Sequence, residues 1–358
     1  MSRILITVLN WGMGHASRTL PIIEGALDLG WEVDVASTGD ALKWLKDRLK
    51  NRSGVTFFNK PGAVITYSHK FTMLKIIAQI PKILLSIYEE KIWTKKHVQS
   101  RSITKIISDN CLGTYDLNVP SVLITHLLKF PVPWILSPLA QWQLRRFTRH
   151  FIEVWVPDCP PGPTSIAGPL TSKAIHPKTK FIGILSRLVT PSKDLTQTSS
   201  TTYPLVGIVS GPEPHRTTME NALRKWMQNR PEKGIIFAGK PGRESRKDGD
   251  TLTLYNPSDV EISKAICASK ILICRSGYTS LLDLVALKRQ AILIPTPGQM
   301  EQEILSVVWN EKFGTASCTQ KDLSNLMIPE MSGDFPQELI SKSPNKTAMN
   351  ELAAWLKN

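Results

Sequence analysis

The chain has 358 residues and a mass of 40.0 kDa, which at roughly 100–200 residues per domain suggests two domains. Hydrophobic residues make up 42% and charged residues 21%, so large cores can form and a wholly disordered chain is excluded. The net charge of +14 is uneven: residues 1–200 hold 25 basic and 13 acidic side chains, residues 201–358 hold 19 and 17, and an anionic partner is therefore expected to meet the first half.

Five cysteines without a Cys-x-x-Cys pair argue against a disulfide framework and against a structural zinc. The opening apolar run Ile4–Leu9 leads into a glycine loop with no small-residue cleavage site, so no secretory signal is expected. The stretch Phe71–Tyr88 is interrupted by Lys75, Gln79, Pro81 and Lys82, and falls short of the ~20 apolar residues that span a bilayer. A reduced, cytoplasmic protein is the expectation, with the inner face of the membrane as a place where its basic half can dock.

In chain order, Arg3–Leu9 reads as a buried strand, Asn10–Gly14 as a glycine turn, and His15–Leu29 as a helix closed by Gly30. Glu32–Ser37 completes a βαβ unit. Strand-like runs follow at Val55–Phe58, Ile103–Ser108, Ser121–Thr125 and Glu153–Val156, with helical stretches at Asp40–Lys50, Met73–Val98 and Leu139–Arg149. Leu185–Tyr203, with two prolines and a Ser/Thr run, reads as a linker. The pattern then restarts with strands at Leu205–Val209, Gly234–Ala238, Thr251–Leu254, Ile271–Cys274 and Ala291–Pro295, separated by helices near Arg216–Met227, Val260–Ala268, Ser280–Leu287 and Met300–Glu311. The expectation is α/β: two doubly wound Rossmann-like domains facing a cleft, with ligands at the carboxyl ends of the strands. Their bounds are 1–185, a linker over 186–203, and 204–345, with a C-terminal helix over 346–358 as a candidate to cross back to the N-terminal domain.

Two strand-turn-helix junctions carry the candidate chemistry. In the first, Asn10-Trp-Gly12-Met-Gly14-His15-Ala-Ser-Arg18, the glycines allow a tight turn and exposed amides at the helix start favour an anion. His15 stands at the helix mouth, with an imidazole suited to taking a proton from a hydroxyl or water near neutral pH. In the second, Arg275-Ser276-Gly277-Tyr-Thr279-Ser280-Leu-Leu-Asp283, Gly277 and the following amides can approach a phosphate. Thr279 and Ser280 can donate hydroxyl hydrogen bonds, and Asp283 can accept from two ribose hydroxyls. Arg275 is a further candidate for phosphate. After the next strand, Gly298-Gln299-Met-Glu301-Gln302-Glu303 brings an amide and carboxylates suited to sugar hydroxyls.

The opening strand-Gly-x-Gly-His-x-x-Arg-helix is similar to two groups of GT-B proteins. One comprises the inverting glycosyltransferases of the family 28 type, including the lipid-linked N-acetylglucosamine transferases of peptidoglycan synthesis. The other comprises the UDP-sugar hydrolases of pseudaminic acid synthesis. The peptidoglycan enzymes have a longer glycine run, and Arg18 matches the smaller-loop subgroup. The resemblance implies that His15 is the general base, that Asp283 holds the donor ribose and that Gln302, with Glu301 or Glu303 beside it, contacts the donor sugar. It places Gly211, in Ser210-Gly211-Pro212, near the diphosphate, although Pro212 removes an amide donor there. Tyr255 and Asn256 lie roughly where relatives contact uracil through backbone groups. Gly12, Gly14, Arg18 and Asp109 are assigned to the acceptor side, with His126 as a weaker candidate.

Residues 51–150 hold 14 Lys/Arg against 4 Asp/Glu. Within them Phe71–His97 mixes apolar residues with Lys75, Lys82, Lys91, Lys95 and Lys96, and Gln141–Phe151 adds Trp142, Arg145, Arg146 and Arg149. One expectation is that the apolar residues face the core and the lysines simply solvate the outside. The other is an amphipathic surface that lies on anionic lipid. No nucleic-acid reading module accompanies the charge. The leading functional expectation is an inverting hexosyltransferase acting from a UDP-sugar on a glycan or lipid-linked acceptor, with no metal or other cofactor. Hydrolysis of a UDP-sugar, and a non-catalytic nucleotide-sugar or nucleic-acid binding protein, are the competing readings.

Overall fold

Apolar runs with no polar alternation must be covered on both faces, and in the first half they build a parallel sheet. The computed structural model describes residues 2–66, 75, 77–132, 134–191, 203–239, 243–328, 335–340 and 343–357. Its chain divides into a first unit, Met1–Ile65 with Ile76–Leu185 and Ser343–Asn358, and a second, Thr66–Lys75 with Ser186–Lys342.

The first unit contains strands β1 (Arg3–Val8), β2 (Glu32–Ser37), β3 (Val55–Asn59), β4 (Lys105–Asp109), β5 (Ser121–Ile124), β6 (Glu153–Val156) and β7 (Thr179–Phe181), all parallel, in the order β3-β2-β1-β4-β5-β6-β7. Helices α1 (Met13–Asp28), α2 (Gly39–Arg48), α3 (Ile80–Arg101) and α4 (Ser137–Thr148) belong to it. The strand order reverses between β1 and β4, where Val8 is in register with Asp109, and such a switch point opens a crevice beyond the carboxyl ends of the strands. The C-terminal helix Lys346–Lys357 packs on this unit. A Cβ on Gly25 of α1 would lie 3.1 Å from Leu352 Cδ2, Trp355 meets Trp155 edge-on at 5.8 Å, and Lys105 donates to the Trp355 carbonyl at 2.8 Å.

The expectation that the apolar residues of α3 face the core holds for Trp93 and Val98, which pack against Leu5, Ala36, Ile103 and Ile106, and is overturned along the rest of the helix. Its buried residues are Ser86, Glu90, Thr94 and His97, whereas Ile80, Leu84, Leu85, Tyr88 and Ile92 are exposed. The physical reason lies beneath the helix. Asp34 of β2 and Lys60, which follows β3, are buried ions, and an unpaired buried charge costs more than an exposed leucine. Glu90 takes Lys60, while His97 (2.9 Å) and Arg101 (3.0 Å) engage Asp34. Burial alone would raise the Asp34 carboxyl; the hydrogen bonds from His97 and Arg101 outweigh it and hold it below its usual range. Residues 71–74 and 76 of the expected amphipathic segment lie outside the described residues.

The second unit has strands β8 (Leu205–Val209), β9 (Gly234–Ala238), β10 (Arg246–Asp248), β11 (Thr251–Leu254), β12 (Ile271–Cys274) and β13 (Ile292–Leu293), in the order β10-β11-β9-β8-β12-β13. Only the β10 pairing is antiparallel. Helices α5 (His215–Gln228), α6 (Asp259–Ala268), α7 (Tyr278–Leu287) and α8 (Met300–Phe313) intervene, and α6 opens on a capping box of Ser258 with Glu261. Met219, Leu223 and Trp226 of α5 fill the core over Val209, Ile236 and Ile273. The switch point here lies between β8 and β12. The expected linker begins differently from its composition, since Ser186 and Leu188 are buried within the second unit; residues 192–202 lie outside the described residues. Among the described residues no helix is long and apolar enough to cross a membrane.

Candidate active site

Because β1 and β4 are register partners, the turn after β1 and the last residue of β4 meet at the first switch point. Gly12 caps α1 with φ +88°, a conformation that favours glycine, and Gly14 lies in the first turn. His15 follows, its side chain 12% exposed, with Nδ1 2.8 Å from Oδ1 of the fully buried Asp109. Arg18, one turn along α1, is also buried and grips both Asp109 oxygens, through Nε to Oδ2 at 2.8 Å and through Nη2 to Oδ1. Thr19 donates to Oδ2 at 2.6 Å, and Arg18 Nη1 donates to His126 Nδ1 at 3.0 Å.

The Arg18 guanidinium, also 2.9 Å from His15 Nδ1, competes with Asp109 for that nitrogen. An ionised carboxylate only accepts, and burial of Asp109 is outweighed by Arg18 and His15, which hold it far below the usual carboxylate range. The Nδ1–H tautomer satisfies Asp109, whereas Arg18 Nη2 already serves the same Oδ1. That tautomer puts the ring's lone pair on Nε2. Burial, then the Arg18 charge, lower the His15 pKa from 6.5 against the opposing pull of Asp109, so the imidazole is neutral at pH 7. The site can therefore accept a proton from a hydroxyl and stabilise the resulting imidazolium on Asp109.

Two acceptor-side assignments need correction. Asp109 and Arg18 do not line a surface: both are buried, and they form the bracket behind His15. His126, 4% exposed, is the outer support of Arg18. Sequence reading missed Thr19 altogether. A parallel-register argument placing Val8 beside Asp109 was the available signal, since it puts the ends of β1 and β4 side by side.

In the second unit Gly277 is the N-cap of α7, with an ordinary φ of −72°. A Cβ added there would meet only Ser280 Oγ at 3.8 Å and Gln302 Nε2 at 3.9 Å. Neither backbone strain nor packing requires a glycine, so what its missing side chain leaves is open approach to the first amides of a ten-residue helix. Across the switch point Gly211 has φ +98°, with Thr296 Oγ1 3.7 Å from its Cβ position. Thr296, which sequence reading missed, is fully buried and its hydroxyl has no partner among the described residues. Thr279, Ser280 and Glu301 are half-buried in the first turns of α7 and α8.

Gln302 is 8% exposed, and its amide braces the loop before α8: Oε1 accepts from Thr296 N at 2.9 Å, and Nε2 donates to Gln299 Oε1 at 2.6 Å. Asp283, its side chain 15% exposed, accepts from Ser186 Oγ at 2.5 Å and lies 4.0 Å from Arg187 Nη1. Burial pushes the Asp283 carboxyl up to about 6 against Arg187 and the Ser186 hydrogen bond, and Asp259 adds to the rise. Ser186 and Arg187 were read as linker, so their place beside Asp283 was not anticipated.

Arg275 and Ser276 are corrected as side-chain ligands. Arg275 is fully buried; Nη1 donates to the carbonyls of Ile294 (3.2 Å) and Pro295 (3.3 Å), and Nη2 to the carbonyl of His215 (2.9 Å) and to Gln320. Burial pushes it down to about 10. Ser276 Oγ, also buried, donates to the Gln302 carbonyl at 2.8 Å. Both tie the start of α7 to the loops behind it. The Arg275→Met variant, which strands these acceptors, is expected to lower the stability of the second unit by about 2–3 kcal/mol in denaturant unfolding. The Tyr255 ring belongs to the core and its hydroxyl donates to Glu220 at 2.8 Å, which leaves backbone groups as its means of touching a base; Asn256 is exposed. Among the described residues no three His, Cys, Asp or Glu side chains gather as metal ligands.

Residues 244–326 match the glycosyltransferase family 28 C-terminal domain. No curated protein matches the chain. Solved structures do match it end to end. MurG of Acinetobacter baumannii covers 100% of this chain and 99% of its own, with TM-score 0.57 and 13% identity. The spinosyn rhamnosyltransferase SpnG, complexed with thymidine diphosphate, covers 100% of both at TM-score 0.65 and 13% identity. UGT2 of Phytolacca americana, complexed with UDP-2fluoro-glucose and pterostilbene, covers 100% of both at 0.60 and 14%. At such identities the likeness shows the fold, which is that of the GT-B glycosyltransferases.

Proposed function

For a GT-B chain of the family 28 type, we propose an inverting hexosyltransferase that moves a sugar from a UDP-linked donor to an acceptor hydroxyl in cell-envelope or surface glycan synthesis. His15 takes the acceptor proton, Asp109 holds the imidazolium that forms, and Arg18 keeps Asp109 ionised. Asp283 receives the donor ribose, with Arg187 beside it, and Gln302 with Glu301 meets the donor sugar. The first amides of α7, opened by Gly277, offset the charge of the departing diphosphate, and no metal enters this reading. The observation that carries it is that the 83-residue match to the family 28 C-terminal domain contains Gly277, Asp283, Glu301 and Gln302. The nucleotide diphosphates named for SpnG and UGT2 support the donor class.

The acceptor side draws on α3 and the chain around α4. Leu84, Leu85, Tyr88 and Ile92 are exposed on the first, and Trp134, Ile135, Leu139 and Trp142 on the second. Lys91 lies over the Tyr115 ring at 5.5 Å, and that ring stacks on His150 at 4.5 Å, so the basic residues of the two segments share a neighbourhood. Such a surface suits a lipid-linked acceptor at an anionic membrane, where each well-placed cation adds about 1 kcal/mol.

Incubation with a panel of UDP-sugars, with and without candidate lipid-linked acceptors, tests the reaction. UDP release is expected only when an acceptor hydroxyl is present. Rapid release of free sugar from donor alone would instead make water the acceptor and the protein a hydrolase. Uridine nucleotides are expected to raise the melting temperature of the second unit, by about 2.7 kcal/mol of added stability at 100 times Kd; stabilisation by purine nucleotides alone would remove the donor assignment.

A further inference from the structure

Ser186 opens the second unit, and its hydroxyl is enclosed by its own turn and by α7. It accepts from the Leu188 amide at 3.0 Å and donates to Asp283 Oδ1 at 2.5 Å, while the Leu188 carbonyl stands farther off at 3.4 Å. Ser186 is fully buried, so solvent does not compete for its hydroxyl. The neighbouring Arg187 is anchored by Nε to Asp259 Oδ1 at 2.7 Å, and its Nη1 faces Asp283 Oδ2 at 4.0 Å. The two oxygens of Asp283 are thus distinguished: one is bonded within the protein, the other stands beside a cation.

We propose that Ser186 is a positioning residue of the donor site, fixing the Asp283 carboxylate through Oδ1 so that Oδ2 presents an ionised acceptor to the ribose. This rests on the donor reading above and adds to it the residue that sets the state of the acid. A hydroxyl that donates to a carboxylate favours its charged form. The groups facing Asp283 are Arg187 on the opening segment, Asp259 at the start of α6 and the Cys274 thiol at the end of β12. Arg187 favours the charge and Asp259 opposes it, while burial together with the Asp283 charge pushes Cys274 up to about 12, outside the range in which Asp283 titrates. Since burial already brings Asp283 up to about 6, losing the Ser186 donor moves its midpoint into the neutral range.

The test compares wild type, Ser186→Ala and Ser186→Thr in the full chain by calorimetric titration with UDP at pH 6.0 and 8.5. An upward shift of about one pH unit in the Asp283 midpoint corresponds to about fivefold weaker UDP binding for Ser186→Ala at pH 6.0 and less than twofold at pH 8.5, with Ser186→Thr restoring the wild-type profile. A role in packing alone predicts an equal loss at both pH values, and either that result or an unchanged profile overturns the proposal. A carboxyl carbon NMR titration of Asp283 without nucleotide should show the same upward shift in Ser186→Ala. If wild type binds no UDP at either pH, the donor reading fails and this proposal with it. If UDP binds wild type while the Asp283 midpoint is unmoved by Ser186→Ala, only the role of Ser186 fails.

Discussion

The His15→Ala variant is expected to lower kcat by about 10²–10⁴-fold, the range contributed by a positioned general base, with little change in donor KM. The expectation follows from the bracket behind the ring. Asp109 accepts at Nδ1, leaving Nε2 with the lone pair, and burial with the Arg18 charge keeps the imidazole neutral at pH 7. The fold should survive, because Asp109 keeps Arg18 and Thr19 as partners once the ring is gone. UDP binding should be retained as well, since Gly277, Asp283 and Gln302 lie at the cap of α7, on α7 and on α8 of the other unit. The pH profile supplies a second check. A base whose pKa is lowered from 6.5 is ready above that value and is lost on acidification, so at saturating donor, where the ribose already holds Asp283 ionised, wild-type kcat/KM for the acceptor should fall only below about 6.5 and the residual activity of His15→Ala should lack that limb. Retention of more than a tenth of wild-type kcat with the acid limb intact would assign the base elsewhere.

The alternation of strand and helix was legible because the buried strands are short, largely apolar runs separated by turn residues and helical stretches. Glu32–Ser37, Glu153–Val156, Leu205–Val209 and Ile271–Cys274 were read at their structural bounds. Strands β7 and β10 were not, since Thr-Lys-Phe and Arg-Lys-Asp are three residues long and carry no apolar run. His15, Gly277 and Asp283 could be singled out because strand-glycine-helix spacing places a residue at a helix mouth. Which of them are held, and by what, depends on contacts across the sheet. Asp109 is 94 residues from His15, and Ser186 is 97 residues from Asp283. Arginine shows the same limit: Arg18 and Arg275 look like ligands in a local motif, yet both are buried and bonded within the protein. Composition also misled at α3, where Ile80, Leu84, Leu85, Tyr88 and Ile92 face outward while buried Asp34 and Lys60 claim the inward side for His97 and Glu90.

The Arg18→Met variant is expected to destabilise the first unit by about 3–5 kcal/mol at pH 7, because a buried carboxylate that loses its cation keeps its desolvation cost. Asp109 is fully buried, and the guanidinium of Arg18 contacts both its oxygens while also supporting His126. The sign of the pH dependence distinguishes this from a simple packing loss. In wild type Asp109 is held far below the usual carboxylate range, so its contribution is present above about pH 4 and is lost as pH falls towards its folded value. In Arg18→Met burial dominates and raises the carboxyl above its unfolded value, so the variant regains stability as pH falls through that raised value. The gap between the two proteins, read from denaturant midpoints, should therefore be widest near neutrality and narrow steadily towards pH 4, whereas lost packing alone would keep it constant. Removing the Arg18 charge also relieves its downward pull on His15, so the acid limb of kcat/KM for the acceptor at saturating donor should move to higher pH in the folded fraction of the variant. Arg18→Lys keeps a cation but not the two-pronged contact with Asp109, and its midpoint should fall between those of wild type and Arg18→Met.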